Sequence, residues 1–466
     1  MAFGWIDFSE EDKRKALNAI NSMNEPGSID ELGYGRIRDF FADQFFPGTS
    51  TIQTHAKYFI ILRNILDDFS YTHIDSNEDL DSLIKRFLAK EYLCALYLNK
   101  KNINKDDGII GSTELDTTIT SLPYIDRTIF NNYQNGKYRK WIVRTPYMIY
   151  WNGLRQLGFL EKNAGSLRDA LKNSKKNKKI LDETPRRKSN NESEPGDSDD
   201  RDSIKSLIRP IVGFLKCKSC NNCNDKKCSN CLKWIPEIEL TLTENDSKEL
   251  KEKITMHLKD TLFEYLVNCG YKKTKSYLTN NNANEHNKYP HTFEMFSNKI
   301  LNLPDLPVKY KTLLPAAVNF NKIITLTRIR YNMVMSLNKT GEVNLEYQAE
   351  WQYYLDYSQL LNTDDDYVDQ IFSIIQNKRP NDDGDRKTKE FLKQFLHLLK
   401  NKAPDKEIND SIISRESEVK KDKRKAKLLT PLKYSDTWIG GRELDYRFGI
   451  TNRLITEILN PGRLTW

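Results

Sequence analysis

A proline–glycine step, Pro47-Gly48, separates two runs whose apolar residues recur at helical spacing. Proline offers no N–H and glycine accepts the reversed backbone, so the pair ends a helix and turns the chain. Phe40, Phe41, Phe45 and Phe46 stand before it; Ile52, Ala56, Phe59 and Ile60 stand after it. The stretch from Gly33 to Phe59 therefore predicts two helices meeting at a sharp corner, each with one buried face. Thr49 or Ser50 is expected to cap the second helix by accepting from its free N–H groups. Asp39 and Asp43 are expected to pair with Arg36, Arg38 or Lys57 and hold the corner together. Thr49, Ser50, Thr51 and His55 could act as nucleophile and base only if they met in space. Capping already accounts for the hydroxyls, so the corner reads as architecture.

The 466 residues suffice for about two to four domains with real cores. With 30% charged and 38% hydrophobic residues the chain is globular but polar. Basic residues number 73 and acidic ones 65, a net charge of +8. Charge is thus mixed rather than massed, which permits contact with nucleic acid without demanding it. No run of apolar residues is long enough to span a bilayer, so no membrane partner is expected. The first residues carry neither a basic region nor an apolar run, so no signal peptide is expected and the compartment is taken as cytoplasmic.

Helical periodicity recurs along most of the chain, and the expected fold is mainly α, a multi-helix protein of two lobes. Residues 9–23 and 78–99 each give an amphipathic helix. Cys94 falls on the apolar side of the latter, seven residues after Phe87, and is expected in the core. Residues 112–160 read as three short helices, the last opened by Thr145-Pro146, a cap followed by proline at the first position. Their helix–turn–helix layout, ending in Gly158, Phe159 and Leu160, would suit a winged-helix unit. Residues 172–204 pass from a basic block (Lys172 to Lys188) to an acidic one (Glu192 to Asp202) with almost no apolar residue, the composition of a disordered linker. Beyond a cysteine-rich lobe, 205–240, helices are expected over 246–268, Ala316–Leu337 after Pro315, 346–361, 366–376, 386–400 and 451–459. Residues 405–427 read as a charged, exposed helix ending in the basic run Lys420 to Lys427. The expected domains are 1–171, the linker 172–204, the lobe 205–240, and 241–466.

The densest chemical signal is Cys217, Cys220, Cys223, Cys228 and Cys231. Thiolates this close can close a tetrahedral zinc shell. Cys217, Cys220, Cys223 and Cys231 have the spacing of the structural zinc lobe of alcohol dehydrogenases; Cys217, Cys220, Cys228 and Cys231 form two CxxC pairs. Four thiolates leave no open coordination position, so the expected zinc is structural. A second signal is basic and aromatic: Lys137, Tyr138, Arg139, Lys140, Trp141 and Arg144 could grip a phosphate backbone while rings stack on bases. Against it stands the plainer reading of a solvated helix end. The six histidines are scattered, with His286 and His291 five apart in a polar loop. Glu237 and Glu239 lack the closely following lysine of a nuclease site. There is no GxxxxGKS or GxxxxGKT, no GxGxxG, no HExxH, no GxSxG and no HKD phosphodiesterase pattern.

Three segments carry a family resemblance: Trp5 to Ser9, Asp30 to Gly33, and Phe46 to Thr54. They resemble an uncharacterised bacterial family known as a domain of unknown function, whose members are met in anti-phage defence gene clusters near helicases, nucleases and methylases. The likeness continues in Asp107–Gly111, in Tyr147–Leu160, in Ala316–Leu337 and in Asn452–Leu459. Arginine stands in that family where this chain has His55, which argues against His55 as a base. The resemblance brings no catalytic residues with it. It implies a non-enzymatic subunit of a defence complex that binds DNA or docks a helicase or nuclease; a pure scaffold and a cryptic metal-dependent nuclease are the alternatives.

Overall fold

The computed structural model describes residues 30–68, 80–101, 108–112, 142, 144–160, 164–173, 238–270, 273–274, 292–380, 382–420, 422–433 and 443–464. Among these residues all regular structure is helical. The helices are α1 (Gly35–Phe45), α2 (Lys57–Asp68), α3 (Leu80–Lys101), α4 (Pro146–Gln156), α5 (167–173), α6 (Glu244–His257), α7 (Leu262–Asn268), α8 (Thr292–Leu301), α9 (Val308–Thr340), α10 (Leu345–Ser358), α11 (Tyr367–Gln376), α12 (Asp383–Lys400), α13 (Asp405–Lys420) and α14 (Phe448–Leu459), with short 3₁₀ turns at 360–362 and 423–433. None of the described helices is long and apolar enough to cross a membrane.

The chain forms two compact units, and each draws on separated segments. Residues 1–45 with 279–446 make one; residues 46–278 with 447–466 make the other. The consecutive division expected at 171 and 240 runs along the chain, whereas these units interleave. The linker and the zinc lobe lie outside the described residues from 174 to 237, as do residues 113–141, the first part of the expected winged-helix unit.

In the first unit α9 is the axis, packed by α8, α10, α11, α12 and α13. Aromatic residues of α1 supply its wedge. Phe41 meets Phe320 at 6.0 Å and Tyr446 at 5.6 Å, and Phe45 meets Phe293 at 5.6 Å. Each such ring removes large apolar area from water and gains from edge-on or tilted geometry. The Tyr34 hydroxyl is 2.7 Å from Thr327 Oγ1, and the Tyr446 hydroxyl donates to the Ala317 carbonyl at 2.7 Å. Burial pushes both phenols above their usual range.

Helix α9 begins at Val308, seven residues before Pro315, rather than after it. The proline removes one N–H from the ladder, but Tyr310, Leu313 and Leu314 are buried on the preceding turns. Their burial holds the helix across the defect. The expected helix 246–268 is in fact two, α6 and α7. The break falls at Leu258–Thr261, where Asp260 has φ +63° and the Thr261 side chain accepts from Glu264 N. The apolar stripe runs through the break, so periodicity alone did not reveal it. Residues 405–427 are likewise not one exposed helix: α13 ends at Lys420 and buries Ile408, Ile412, Arg415 and Glu416. Lys420 and Lys427 both pair with the buried Glu31, at 2.7 and 2.5 Å.

In the second unit α2 packs on α3 and α4, and α14 packs on α6 and α7. Cys94 is buried as expected, which pushes its thiol up and makes it inert. Glu91, one turn before it, is buried on the same helix. Its Oε1 accepts from Tyr147 N at 2.6 Å and so caps α4 from a distance. Burial raises the Glu91 carboxyl well above the usual range, and hydrogen bonds from Tyr147 N and the Thr145 side chain only partly oppose it. The sign follows: above the unfolded-state pKa the folded state holds one more proton, so stability falls as pH rises toward the folded value. Glu91→Gln keeps the acceptor and removes that loss. The stability gain of the variant should be larger at pH 8 than at pH 5, by up to about 1.4 kcal/mol for each pH unit crossed. Denaturant unfolding at the two pH values checks it; an equal gain at both would show Glu91 to be ionised in the fold.

Candidate functional site

The loop 46–56, which opens the second unit ahead of α2, is the part of the described structure where sequence and resemblance converge. Pro47 and Gly48 do end α1, with Gly48 at φ +80°. The second helix, however, starts at Lys57, so Thr49 and Ser50 do not cap it. Residues 46–56 instead form a closed loop. Thr49 Oγ1 donates back to the Phe46 carbonyl at 2.7 Å. Gln53 bridges the loop, accepting from Ser50 N at 3.2 Å and donating to the Gly48 carbonyl at 3.1 Å. A Gly turn followed by hydroxyl and amide side chains can satisfy its own backbone this way, without continuing as helix.

The start of α2 is completed by groups far away in sequence. The Tyr150 hydroxyl of α4 accepts from Thr54 N at 2.8 Å and His55 N at 3.0 Å, and donates to the His55 carbonyl at 2.8 Å. Glu457 of α14 takes the rest. Its Oε2 accepts from Ala56 N at 2.8 Å and its Oε1 lies 2.7 Å from His55 Nδ1. His55 is 0% exposed and Glu457 2%. Lys57, also buried, pairs with Asp246 at 2.6 Å, and Asp246 closes the capping box of α6 with Thr243. Arg447 Nη1 donates to the Thr49 carbonyl at 3.0 Å.

Chemically this is a staple. Both oxygens of Glu457 are spoken for, and the imidazole faces a carboxylate in a dry interior. The Thr49 hydroxyl is bonded to backbone, so it is not a nucleophile held by a base. Of the pairs expected to hold the corner, Arg38 and Asp39 do meet, at 3.1 Å. Arg36 pairs instead with Asp382, and Lys57 with Asp246.

Of the other residues singled out by sequence, Cys217, Cys220, Cys223, Cys228 and Cys231 lie outside the described residues, as do Lys137, Tyr138, Arg139, Lys140 and Trp141. His286 and His291 do too, and so does Glu237. Arg144 is described and half-buried; Glu239 is exposed. Among the described residues no three His, Cys, Asp or Glu side chains group as a metal site.

Glu457, Tyr150 and Glu91 were not singled out by sequence, yet two of them had a readable signal. Glu457 sits three residues after Leu454 and next to Ile458, on the apolar stripe of its helix. Glu91 sits four residues after Phe87, likewise on the buried stripe. A carboxylate on an apolar stripe needs a partner or a proton, and here the partners are helix N-termini.

The profile of a family of unknown function (DUF6361) matches residues 1–88. No curated protein and no solved structure matches the chain. The matched stretch contains α1, the corner loop, α2 and the start of α3, whereas Tyr150 and Glu457 come from beyond it. Over residues 1–88 the chain is therefore similar to an uncharacterised domain of unknown function, mainly helical where it is described.

Proposed function

We propose that the chain is a non-enzymatic subunit of a bacterial anti-phage defence complex, which binds DNA, docks a helicase or nuclease, or both. The observation that carries this reading is the corner. Within the matched stretch, the Thr49, Gln53 and His55 side chains are spent on backbone or on Glu457, which builds a rigid shape and leaves the reactive groups no substrate to meet. The gene setting of the resembling family supplies the defence context. The run Lys137 to Arg144 supports contact with nucleic acid, which the net charge of +8 permits. A structural zinc on four of Cys217, Cys220, Cys223, Cys228 and Cys231 belongs to the same reading, supported by their spacing; elemental analysis of the purified chain checks it.

The test is retention on plain duplex DNA across a salt series. Each phosphate contact releases counterions, so affinity should fall steeply with salt. Reversing Lys137, Arg139 and Lys140 together to Glu should lower affinity about tenfold or more and flatten the slope by about two to three units. An unchanged salt-titrated affinity removes the DNA half and leaves docking, which co-purification with a neighbouring helicase or nuclease then decides. Metal-dependent cleavage of DNA by the purified chain would overturn the non-enzymatic reading.

A further inference from the structure

Helices α12 and α13 are joined by residues 401–404 and pack against each other. At the end away from that loop Lys387 Nζ is 3.6 Å from Glu418 Oε1, so the two run antiparallel. Between them lies an open groove of about 490 Å³. Its walls are regular. Lining residues recur at three- and four-residue steps from Lys387 to Leu398 on one helix and from Glu407 to Glu418 on the other. That is about 17 Å, or about three helical turns.

The lining is mixed: Phe391 and Leu398 are apolar and Gln394, Ser411 and Ser414 polar, with the Arg415 guanidinium lying 5.5 Å from the Phe391 ring centre. The rim is acidic, with Glu390, Glu407, Asp410 and Glu418 against two cations, Lys387 and Arg415. Both cations are already engaged. Arg415 holds Glu418 at 2.8 Å, the Thr388 hydroxyl and the Leu32 carbonyl, and Lys387 is 3.4 Å from Asp383. Glu390 is held by Arg386 at 2.7 Å. The side chains of Glu407 and Asp410 are exposed and carry no partner among the described residues. The loop end of the groove thus presents two unpaired carboxylates, Glu407 and Asp410, near Phe391 and Leu398, over the length of a short helix.

We propose that this groove docks an amphipathic helix, rich in lysine and arginine, from a partner protein. The proposal deepens the docking half of the function argued above and rests on it. Two helical ridges with a valley that carries Phe391 and Leu398 are the complement of a third helix whose few apolar residues recur at three- and four-residue steps and whose other positions are polar. Basic residues flanking that stripe would reach Glu407 and Asp410 on one side and Glu390 on the other. An acidic or neutral helix would leave those carboxylates unpaired, and a duplex would meet like charge.

The experiment titrates the full chain with a fluorescent helical peptide of leucine, alanine and lysine, leucines at helical spacing, and with its twin bearing glutamate for lysine. The basic peptide should bind and the acidic twin should not. Glu407→Lys with Asp410→Lys should weaken the basic peptide about tenfold or more at physiological salt. Both positions are exposed, so an unchanged circular dichroism spectrum shows that the fold is intact. Equal binding of the two peptides, or unchanged binding by the double variant, overturns the proposal. So does a dimer of the chain that the double variant dissolves, since the occupant is then a second copy. Co-expression with a neighbouring helicase or nuclease separates the two readings. Capture by wild type but not by the double variant supports the groove; capture by both overturns the groove and leaves docking standing; capture by neither, with the peptide bound, removes docking by those partners and keeps the groove.

Discussion

Glu457→Ala should lower the stability of its unit by about 2–5 kcal/mol, about 1–3 kcal/mol for each of the two buried polar groups left without their hydrogen-bond partner. The loss comes from what remains. His55 Nδ1 and Ala56 N each keep a buried polar group whose acceptor has gone, and water does not reach a side chain that is 0% exposed. Glu457→Gln, which keeps an acceptor but drops the charge, should cost less, about 1–2 kcal/mol. In thermal unfolding the alanine variant should lie about 10 °C below wild type. A double-mutant cycle with His55→Ala should return a coupling of about 1–3 kcal/mol. A loss below about 1 kcal/mol for Glu457→Ala would mean that the loop relaxes and finds other partners, and the staple would not be what sets the corner.

Gly153→Ala should destabilise by about 3 kcal/mol, opposite in sign to the usual rule. Alanine in place of glycine inside a helix ordinarily gains about 1 kcal/mol. At Gly153, in the middle of α4, an added Cβ would sit 2.6 Å from the Gly48 carbonyl oxygen and 2.5 Å from Phe59 Cε1. The phenyl ring could turn aside. The carbonyl belongs to the corner loop, which Gln53 and Thr49 hold shut, so the helix would have to move away and loosen the contacts of Tyr150 with Phe59 and Tyr58. Glycine is therefore required here for close approach of helix and loop. Chemical denaturation of the variant against wild type reads the effect, and a stabilised Gly153→Ala would show that the loop carries slack.

Much of the helical content was legible because it rests on local pattern. The stripes of α3, α10, α11 and α12 appear in the sequence within a few residues of their ends. Thr145-Pro146 opens α4 with the proline in its first turn, but the Thr145 side chain makes no cap hydrogen bond, and Glu91 accepts from Tyr147 N instead. Where the reading slipped, a longer-range force had overruled a local one. Pro315 looked like a helix start but was carried inside α9 by burial of the turn before it. Thr49 and Ser50 looked like caps, but the backbone they would have served closes on Gln53, and the true N-terminus of α2 is met by Tyr150 and Glu457.

The sequence by itself determined that most of the described helices exist and which face of each is apolar, because those properties depend on neighbours three and four residues apart. It also determined that the corner turns at Pro47 and Gly48, a matter of two residues' own backbone preferences. Only the tertiary structure decided that His55 would meet a carboxylate 402 residues away, and that the chain would divide into two units that each draw on separated segments. Such pairings are chosen by which apolar faces and buried charges complement one another once loops have closed. A helical stripe states that it needs a partner but carries no record of which stripe that will be.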